Sequence, residues 1–306
     1  MKARVMRSTG SFYDVLAEDG QRYACRMRGK IRLDEIKETN PVAVGDEVKI
    51  ELEHEYGSIV ELLPRQNHIL RQSVKRTGHA HVLAANVDQV VLIATVKQPR
   101  TSLGFIDRFL VAAESFRIPQ IVVFNKKDLL SEEWANEVAQ LQALYENIGV
   151  KTFFISALSD DDLIRMQSLL QHKITLVAGH SGVGKSTLLN RLAPAQIQQT
   201  TGEISDHSNK GTHTTTFAEM FQLNTETFII DTPGIKEWGL VAMEEQEISD
   251  YFPEMRDLRN DCKFARSCLH INEPRCAIKD AVEAGTIAFS RYESYLSMVG
   301  GQDNRK

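Results

Sequence analysis

Gly179-His180-Ser181-Gly182-Val183-Gly184-Lys185-Ser186 fits G-x-x-x-x-G-K-[ST] at every fixed position. The apolar run Ile174–Ala178 ahead of it reads as a buried strand, and Thr187–Leu192 behind it reads as a helix. Strand, glycine-rich loop and helix are the context this motif needs to cradle a phosphate. The glycines let backbone N–H groups curl around phosphate oxygens, and the new helix points its positive end at the same anion. Lys185 is expected on the β- and γ-phosphates and the Ser186 hydroxyl on Mg²⁺.

Upstream, Val87–Val96, Gln120–Phe124 and Thr152–Ser156 read as strands. Gly104–Phe116, Ser131–Asn147 (with Ser131 as N-cap) and Asp160–Leu170 read as helices. Such alternation implies a mostly parallel sheet covered on both faces. Asn125-Lys126-Lys127-Asp128 falls at the end of one of these strands. A carboxylate at Asp128 can accept from N1–H and the 2-amino group of guanine, a donor pair adenine lacks. Charge-assisted bonds contribute about 1.5–3 kcal/mol each, so the pair discriminates strongly. The Lys126 stem can lie along the base, and Asn125 can tie this loop to the phosphate loop. Ser156-Ala157, at the next strand end, is expected to offer a backbone N–H to guanine O6.

Downstream, Asp231-Thr232-Pro233-Gly234 follows the strand Phe228–Ile230 and matches the D-x-x-G segment in which Asp231 holds Mg²⁺ through water and Gly234 senses the γ-phosphate. Between the two phosphate motifs lies Gly211-Thr212-His213-Thr214-Thr215-Thr216, in a polar stretch without periodicity. It reads as a switch segment ordered by Mg²⁺ and the γ-phosphate, with Thr215 as the second Mg²⁺ ligand. The order of motifs is unusual. Most GTPases place N-K-x-D and S-A after D-x-x-G, whereas here they come first. The same sheet results only if the chain is circularly permuted, which is tolerable because domain termini tend to lie together at the surface.

The flanks differ from this centre. Residues 1–63 hold short alternating stretches punctuated by turn residues, with strands at Val48–Leu52 and Ser58–Leu63. They read as a five-stranded barrel of the OB type ending at Pro64-Arg65-Gln66-Asn67. Arg26, Arg28, Lys30 and Arg32 alternate with Cys25, Met27 and Ile31. Period two puts the four cations on one face, of the kind OB barrels use to bind RNA, and turns Cys25 inward. Gly29 could instead make a hairpin there. After Gly239 the chain is polar and helical, and a helical pattern resumes from Ile278 to Met298. Cys262, Cys268, His270 and Cys276 supply three thiolates and an imidazole, a tetrahedral set for structural Zn²⁺ with no open position for catalysis.

Composition excludes several classes. The 306 residues are 42% hydrophobic and 25% charged, as in ordinary globular proteins. Apolar runs such as Val90–Val96 fall far short of the roughly 20 residues of a membrane helix. No apolar stretch follows Met1-Lys2-Ala3-Arg4, so a cytoplasmic location is expected. The net charge of −5 is unevenly spread, with 14 Lys and Arg against 12 Asp and Glu in residues 1–80. The local excess of cations therefore lies with the barrel.

Together the permuted motif order, G-H-S-G-V-G-K-S-T, T-H-T-T-T, D-T-P-G-I, the N-terminal barrel and the Cys/His cluster resemble one family over essentially the whole chain. This is the circularly permuted, ribosome small-subunit-dependent GTPase A family of bacteria. The family's usual spacing has one residue fewer between the first two cysteines; here Ala265-Arg266-Ser267 lengthens that loop. The resemblance implies three domains: an OB barrel (1–66), a GTPase domain (67–239) and a helical zinc domain (240–306). It implies GTP/GDP with Mg²⁺ and one structural Zn²⁺ as cofactors, and the small ribosomal subunit with its 16S rRNA as partner. It implies docking in the GTP state and hydrolysis that drives release. A monomer that touches no membrane is expected.

The residue after Gly234 is Ile235, which cannot orient water as a glutamine does in many GTPases. Slow unaided turnover is expected, and His213 is the imidazole placed to orient or deprotonate water once a partner fixes the switch. An RNA-binding module with a vestigial nucleotide site conflicts with intact Lys185, Ser186 and Asp231. A metabolic kinase has no use for N-K-K-D.

Overall fold

The computed structural model describes residues 1–10, 12–28, 41–52, 56–72, 80–193, 218–232 and 243–301. The switch segment with His213 and Thr215, Gly234 with Ile235, and Lys30 with Arg32 lie outside these residues.

Five strands open the chain: β1 (Lys2–Ser8), β2 (Tyr13–Ala17), β3 (Arg22–Met27), β4 (Glu47–Leu52) and β5 (Gly57–Leu62). They pair in the order β1-β2-β3-β5-β4, with β3 and β5 parallel, and β4 closes back onto β1. The result is the expected five-stranded barrel. Its interior is lined by Val5, Tyr13, Val15, Cys25, Val48, Ile50 and Ile59. Cys25 is fully buried, and burial pushes its thiol up to about 11.

The register of β1 shifts between Val5 and Arg7. Val5 faces the barrel interior, whereas Met6 joins the central core beside Val44, Ile69 and Ala84. The barrel is thereby seated on the hairpin of β6 (His68–Gln72) and β7 (Ala80–Ala85). Arg65 fastens the junction by donating to both Asp46 oxygens at 2.7 and 2.8 Å.

Next come β8 (Gln89–Thr95), α1 (Leu103–Ser115), β9 (Gln120–Asn125), α2 (Ala135–Glu146), β10 (Lys151–Phe154), α3 (Asp160–Leu170), β11 (Ile174–Gly179) and α4 (Lys185–Leu192). The hairpin β12 (Glu219–Asn224) and β13 (Thr227–Asp231) completes the central sheet. Its order is β10-β9-β8-β11-β13-β12, parallel up to β13. The β12 edge meets β1 at Arg7 and Glu219, so one sheet runs through both domains. Strand β8 shows the period of two: Val90, Leu92 and Ala94 face the core under α1 and α2, while Val91 and Ile93 face the core under α3 and α4.

Three local expectations need correction. Ser131 does not cap α2. Its hydroxyl bonds the Glu133 carboxylate at 2.9 Å, and a 3₁₀ turn, Glu132–Trp134, precedes the helix. The helix expected over Ile278–Met298 is two helices, Ala277–Glu283 and Phe289–Val299. Gly285 separates them at φ +75°, a left-handed conformation that ends the first helix. The hairpin β6–β7 and strand β12 are not anticipated from the sequence.

The C-terminal region packs on α1 through its own core, in which Val111 meets Ile248, Phe252, Met255 and Tyr295. Arg291, buried, donates from Nη1 to Asp107 of α1 at 2.7 Å and from Nε to Glu254 at 2.7 Å. Its guanidinium also lies 4.5 Å from the Phe252 ring centroid.

Candidate nucleotide site and metal centre

The phosphate loop joins β11 to α4 at the carboxyl edge of the parallel strands, where open α/β sheets bind ligands. Gly184 sits at φ +89°, and a Cβ there would lie 2.4 Å from Asn125 Nδ2. Only glycine fits, because the Asn125 side chain occupies that space. Asn125 Nδ2 donates to the Val183 carbonyl at 2.8 Å, and its Oδ1 accepts from Ala157 N at 2.8 Å. One buried amide thus ties the N-K-K-D strand end to the phosphate loop, as expected, and also to the S-A corner.

Around this tie the remaining residues take their places. Ser181, Ser186 and Thr187 are exposed on the loop and the first turn of α4. The His180 ring lies against Phe105 of α1, with centroids 3.6 Å apart and the ring planes tilted by 36°. Lys185 Nζ pairs with the Asp231 carboxylate, which brings the two phosphate-facing motifs together. Lys126 is left-handed at φ 64°, and its ammonium reaches the Gln98 carbonyl at 2.6 Å, in the loop after β8. Lys127 points elsewhere: its ammonium meets Asp162 of α3 at 3.0 Å. Asp128 is exposed and accepts from Ser156 Oγ at 2.5 Å. The Ser156-Ala157 pair is expected to offer a backbone N–H to guanine O6, but here both of its N–H groups donate within the protein, Ser156 N to Asp162 at 2.9 Å and Ala157 N to Asn125. Arg191 of α4 donates to the Ala157 carbonyl at 2.7 Å and pairs with Asp160.

Sequence reasoning misses Asp162, Arg191 and the Gln98-Pro99 loop. The acid run Asp160–Asp162 after Ser159 is legible there only as a helix start. Asp162 is 2% exposed. Burial opposes its charge, but the Ser156 N–H and the Lys127 ammonium outweigh that and hold its carboxyl below the usual range.

Cys262, Cys268, His270 and Cys276 come together, with one ligand atom from each within 4.8 Å of all the others. Zn–S bonds of about 2.3 Å and Zn–N bonds of about 2.0 Å give tetrahedral edges of roughly 3.8 Å between sulfurs and roughly 3.5 Å between sulfur and nitrogen. The observed Cys262–Cys276 separation is 3.8 Å, and His270 Nδ1 lies 3.6 and 3.3 Å from those two sulfurs. The donor set fits zinc in type and spacing, with Nδ1 as the ligand atom. Burial lowers the His270 imidazole to about 4, so it is neutral and ligand-ready, while burial pushes the Cys268 thiol up to about 12. Three thiolates in this setting call for a cation. The loop between His270 and Cys276 is shaped by Glu273, whose carboxylate accepts from Leu269, Ile271 and Asn272 N–H at 2.8–3.0 Å. Tyr292 and Tyr295 donate to the His270 and Leu269 carbonyls at 2.6 and 2.7 Å.

On the barrel, Arg26 is exposed, with its guanidinium 4.4 Å from the Phe12 centroid and 5.3 Å from that of Tyr56. Both rings are exposed, at 37% and 47%. Arg28 is paired with Glu51. Of the four alternating cations, these two fall among the described residues.

Comparisons with known proteins agree with this geometry. A family model described as RsgA GTPase matches residues 62–241, and one described as RsgA N-terminal domain matches residues 2–60. A protein of Christiangramia forsetii named small ribosomal subunit biogenesis GTPase RsgA is 47% identical over 99% of this chain and 97% of its own length. A protein of Cytophaga hutchinsonii with the same name is 48% identical over 100% of both chains. The crystal structure of YjeQ from Thermotoga maritima superposes with a TM-score of 0.76 at 33% identity, over 100% of this chain and 99% of that one. That of YloQ, described as a circularly permuted GTPase, gives 0.73 at 31% identity, over 100% and 96%. A permuted nucleotide-binding sheet behind a five-stranded barrel, matched over its whole length by these relatives, makes the chain a member of the RsgA GTPase family.

Proposed function

We propose that the protein binds GTP across the Asn125–Asp128, Ser156-Ala157 and Gly179–Thr187 loops, and hydrolyses it to GDP and phosphate while docked on the small ribosomal subunit. The observation that carries this reading is the Asn125 amide, which makes the base end and the phosphate end of the site one framework. Asp128 reads N1–H and the 2-amino group, Lys126 covers the base, and Lys127 braces the loop from outside. The phosphate-loop N–H groups and Lys185 hold the β- and γ-phosphates, Lys185 leaving Asp231 to do so.

The exposed Ser186 hydroxyl beside the Lys185–Asp231 pair suits a hard cation. Magnesium held by Ser186 and Thr215, and by Asp231 through water, would supply positive charge against the phosphate oxygens. In this reading Gly234 senses the γ-phosphate and His213 orients the attacking water. With Ile235 in place of a glutamine, docking has to complete the site.

The relatives' names tie them to small-subunit biogenesis. Carried to this chain, that gives a cytoplasmic monomer that docks in the GTP state, touches 16S rRNA and leaves after hydrolysis. The exposed Phe12–Arg26–Tyr56 cluster supports an RNA face on the barrel. It lies on β3 and on the β1–β2 and β4–β5 connections that OB folds use for oligonucleotides. No helix among the described residues is long and apolar enough to cross a membrane. The working division is barrel 1–66, GTPase domain 67–239 and zinc domain 240–306.

GTP turnover with and without purified small subunits tests the reading. Stimulation on the order of 10²-fold or more is expected, as where a partner completes a GTPase site. Turnover indifferent to the subunit would refute it. His213→Ala should lose most of the stimulation while GDP binding stays intact.

A further inference from the structure

Three acids open α3, and only one turns inward. Asp160 and Asp161 are exposed, while Asp162 is buried. All three suit a helix N-terminus, where the dipole favours negative charge. Asp162 occupies the third helical position after the cap Ser159, where an acidic side chain commonly bonds back to the cap's own N–H. Here it does not. Ser159 N donates to the Ser156 carbonyl at 2.9 Å, and the Asp162 carboxylate reaches past the cap to Ser156 N at 2.9 Å. The same oxygen takes the Lys127 ammonium at 3.0 Å, and the other oxygen takes it at 3.4 Å. Arg165 Nη1 stands 3.6 Å away on the helix's exposed side.

This carboxylate therefore joins the two base-facing loops without facing the base. Ser156, whose backbone it holds, passes the restraint on through its hydroxyl, which donates to Asp128 at 2.5 Å. The backbone adds a parallel link, Lys127 N to the Ile155 carbonyl at 2.9 Å. Asp128 itself is exposed at the rim, and this hydroxyl steers its carboxylate.

We infer that Asp162 is a positioning residue for guanine specificity: it sets Ser156 and Lys127 so that Asp128 meets N1–H and the 2-amino group together. The inference rests on the reading of Asp128 as the base-recognising carboxylate. A two-point contact is demanding of angle, because a small rotation keeps one hydrogen bond and loses the other. Loss of the brace therefore weakens guanine more than hypoxanthine, which lacks the 2-amino group.

The test measures affinities of the full chain for GDP and for inosine diphosphate by displacement of a fluorescent nucleotide. Asp162→Asn is expected to weaken GDP about ten-fold and inosine diphosphate about two- to three-fold, so that their ratio shrinks, with the charge-assisted Lys127 contact removed. Lys127→Met attacks the brace from its other end and should shrink the ratio in the same direction. Asp161→Asn removes a neighbouring charge from the same helix turn and should leave the ratio unchanged. A native ratio in both Asp162→Asn and Lys127→Met overturns the inference, as does an Asp161→Asn variant that behaves like Asp162→Asn. Asp128→Asn separates the two levels of argument. If it keeps full guanine preference, the base-reading assignment fails; if it loses preference while the brace variants keep it, only the role of Asp162 fails.

Discussion

The nucleotide-facing loops and the Cys262–Cys276 knuckle are both made of short irregular segments, yet they are held by different means. At the nucleotide site the protein's own groups satisfy one another: Asn125 bonds two loops, Asp162 bonds two, and Lys185 meets Asp231. The functional atoms stand at the surface of a finished scaffold. At the knuckle the four ligands are buried, and burial drives the Cys268 and Cys276 thiols toward their protonated forms. Its backbone is braced by Glu273, Tyr292 and Tyr295, and a cation among the three sulfurs would balance their charge. One region is organised by the protein's own groups. The other carries a donor set that suits a metal.

Removing the metal probes this difference most severely. Structural zinc contributes about 10–16 kcal/mol in small domains, more than a region this short can replace. Chelation of the loaded protein, or Cys268→Ser, should therefore unfold much of residues 243–301, seen as new protease cleavage confined to that region. Persistent protease resistance there would show that the knuckle, too, is self-sufficient.

A smaller effect is expected at Asn125. Asn125→Ala removes two buried hydrogen bonds of about 1 kcal/mol each and leaves Ala157 N and the Val183 carbonyl without this partner. Guanine nucleotide affinity should fall about 30- to 100-fold while thermal unfolding stays cooperative. Affinity within two-fold of native would mean that the scaffold does not depend on this tie.

The mildest test uses acid. The Glu273 carboxyl is held below its usual range because the Leu269, Ile271 and Asn272 N–H groups outweigh its burial. A depressed carboxylate stabilises the fold above its unfolded pKa of 4.5, and that contribution fades as pH falls through the lower folded value. Glu273→Gln should lower the thermal midpoint of the C-terminal region at pH 6. It should also show a shallower loss than native between pH 5 and pH 4, measured by scanning fluorimetry. Equal slopes would remove Glu273 from the account.

The same contrast explains how far the sequence could be read. Phosphate and guanine motifs are contiguous, and each carries its chemistry within a few residues, so Lys185, Asp128 and Asn125 stand out as candidates from their immediate neighbours in the chain. The four candidate zinc ligands also lie within one short stretch. What escaped depends on contacts between distant segments. Asp162 looks like any helix-opening acid until Lys127, 35 residues earlier, is seen beside it. The Arg291–Asp107 pair spans 184 residues and has no local signature. The strands β6, β7 and β12 show little clean alternation, because their faces are set by the barrel, the sheet and the hairpin partner around them. The continuous helix expected after Cys276 is broken over residues 284–288, where Gly285 is left-handed and Ala288 extended.

Arg291 has a mechanical consequence. Its guanidinium is divided between an acid on α1 and one on the C-terminal region, and both Arg291 and Asp107 are almost completely shielded from water. A greasy contact can slide by fractions of an ångström with little penalty. A desolvated ion pair cannot, since a slip that separates its partners leaves a bare charge in a poor dielectric, at about 3–5 kcal/mol for a broken pair. The C-terminal region therefore has one seat on α1 and no neighbouring notches. Force applied to it by a large partner would reach α1 undamped, and with it Phe105, whose ring lies on the phosphate-loop histidine.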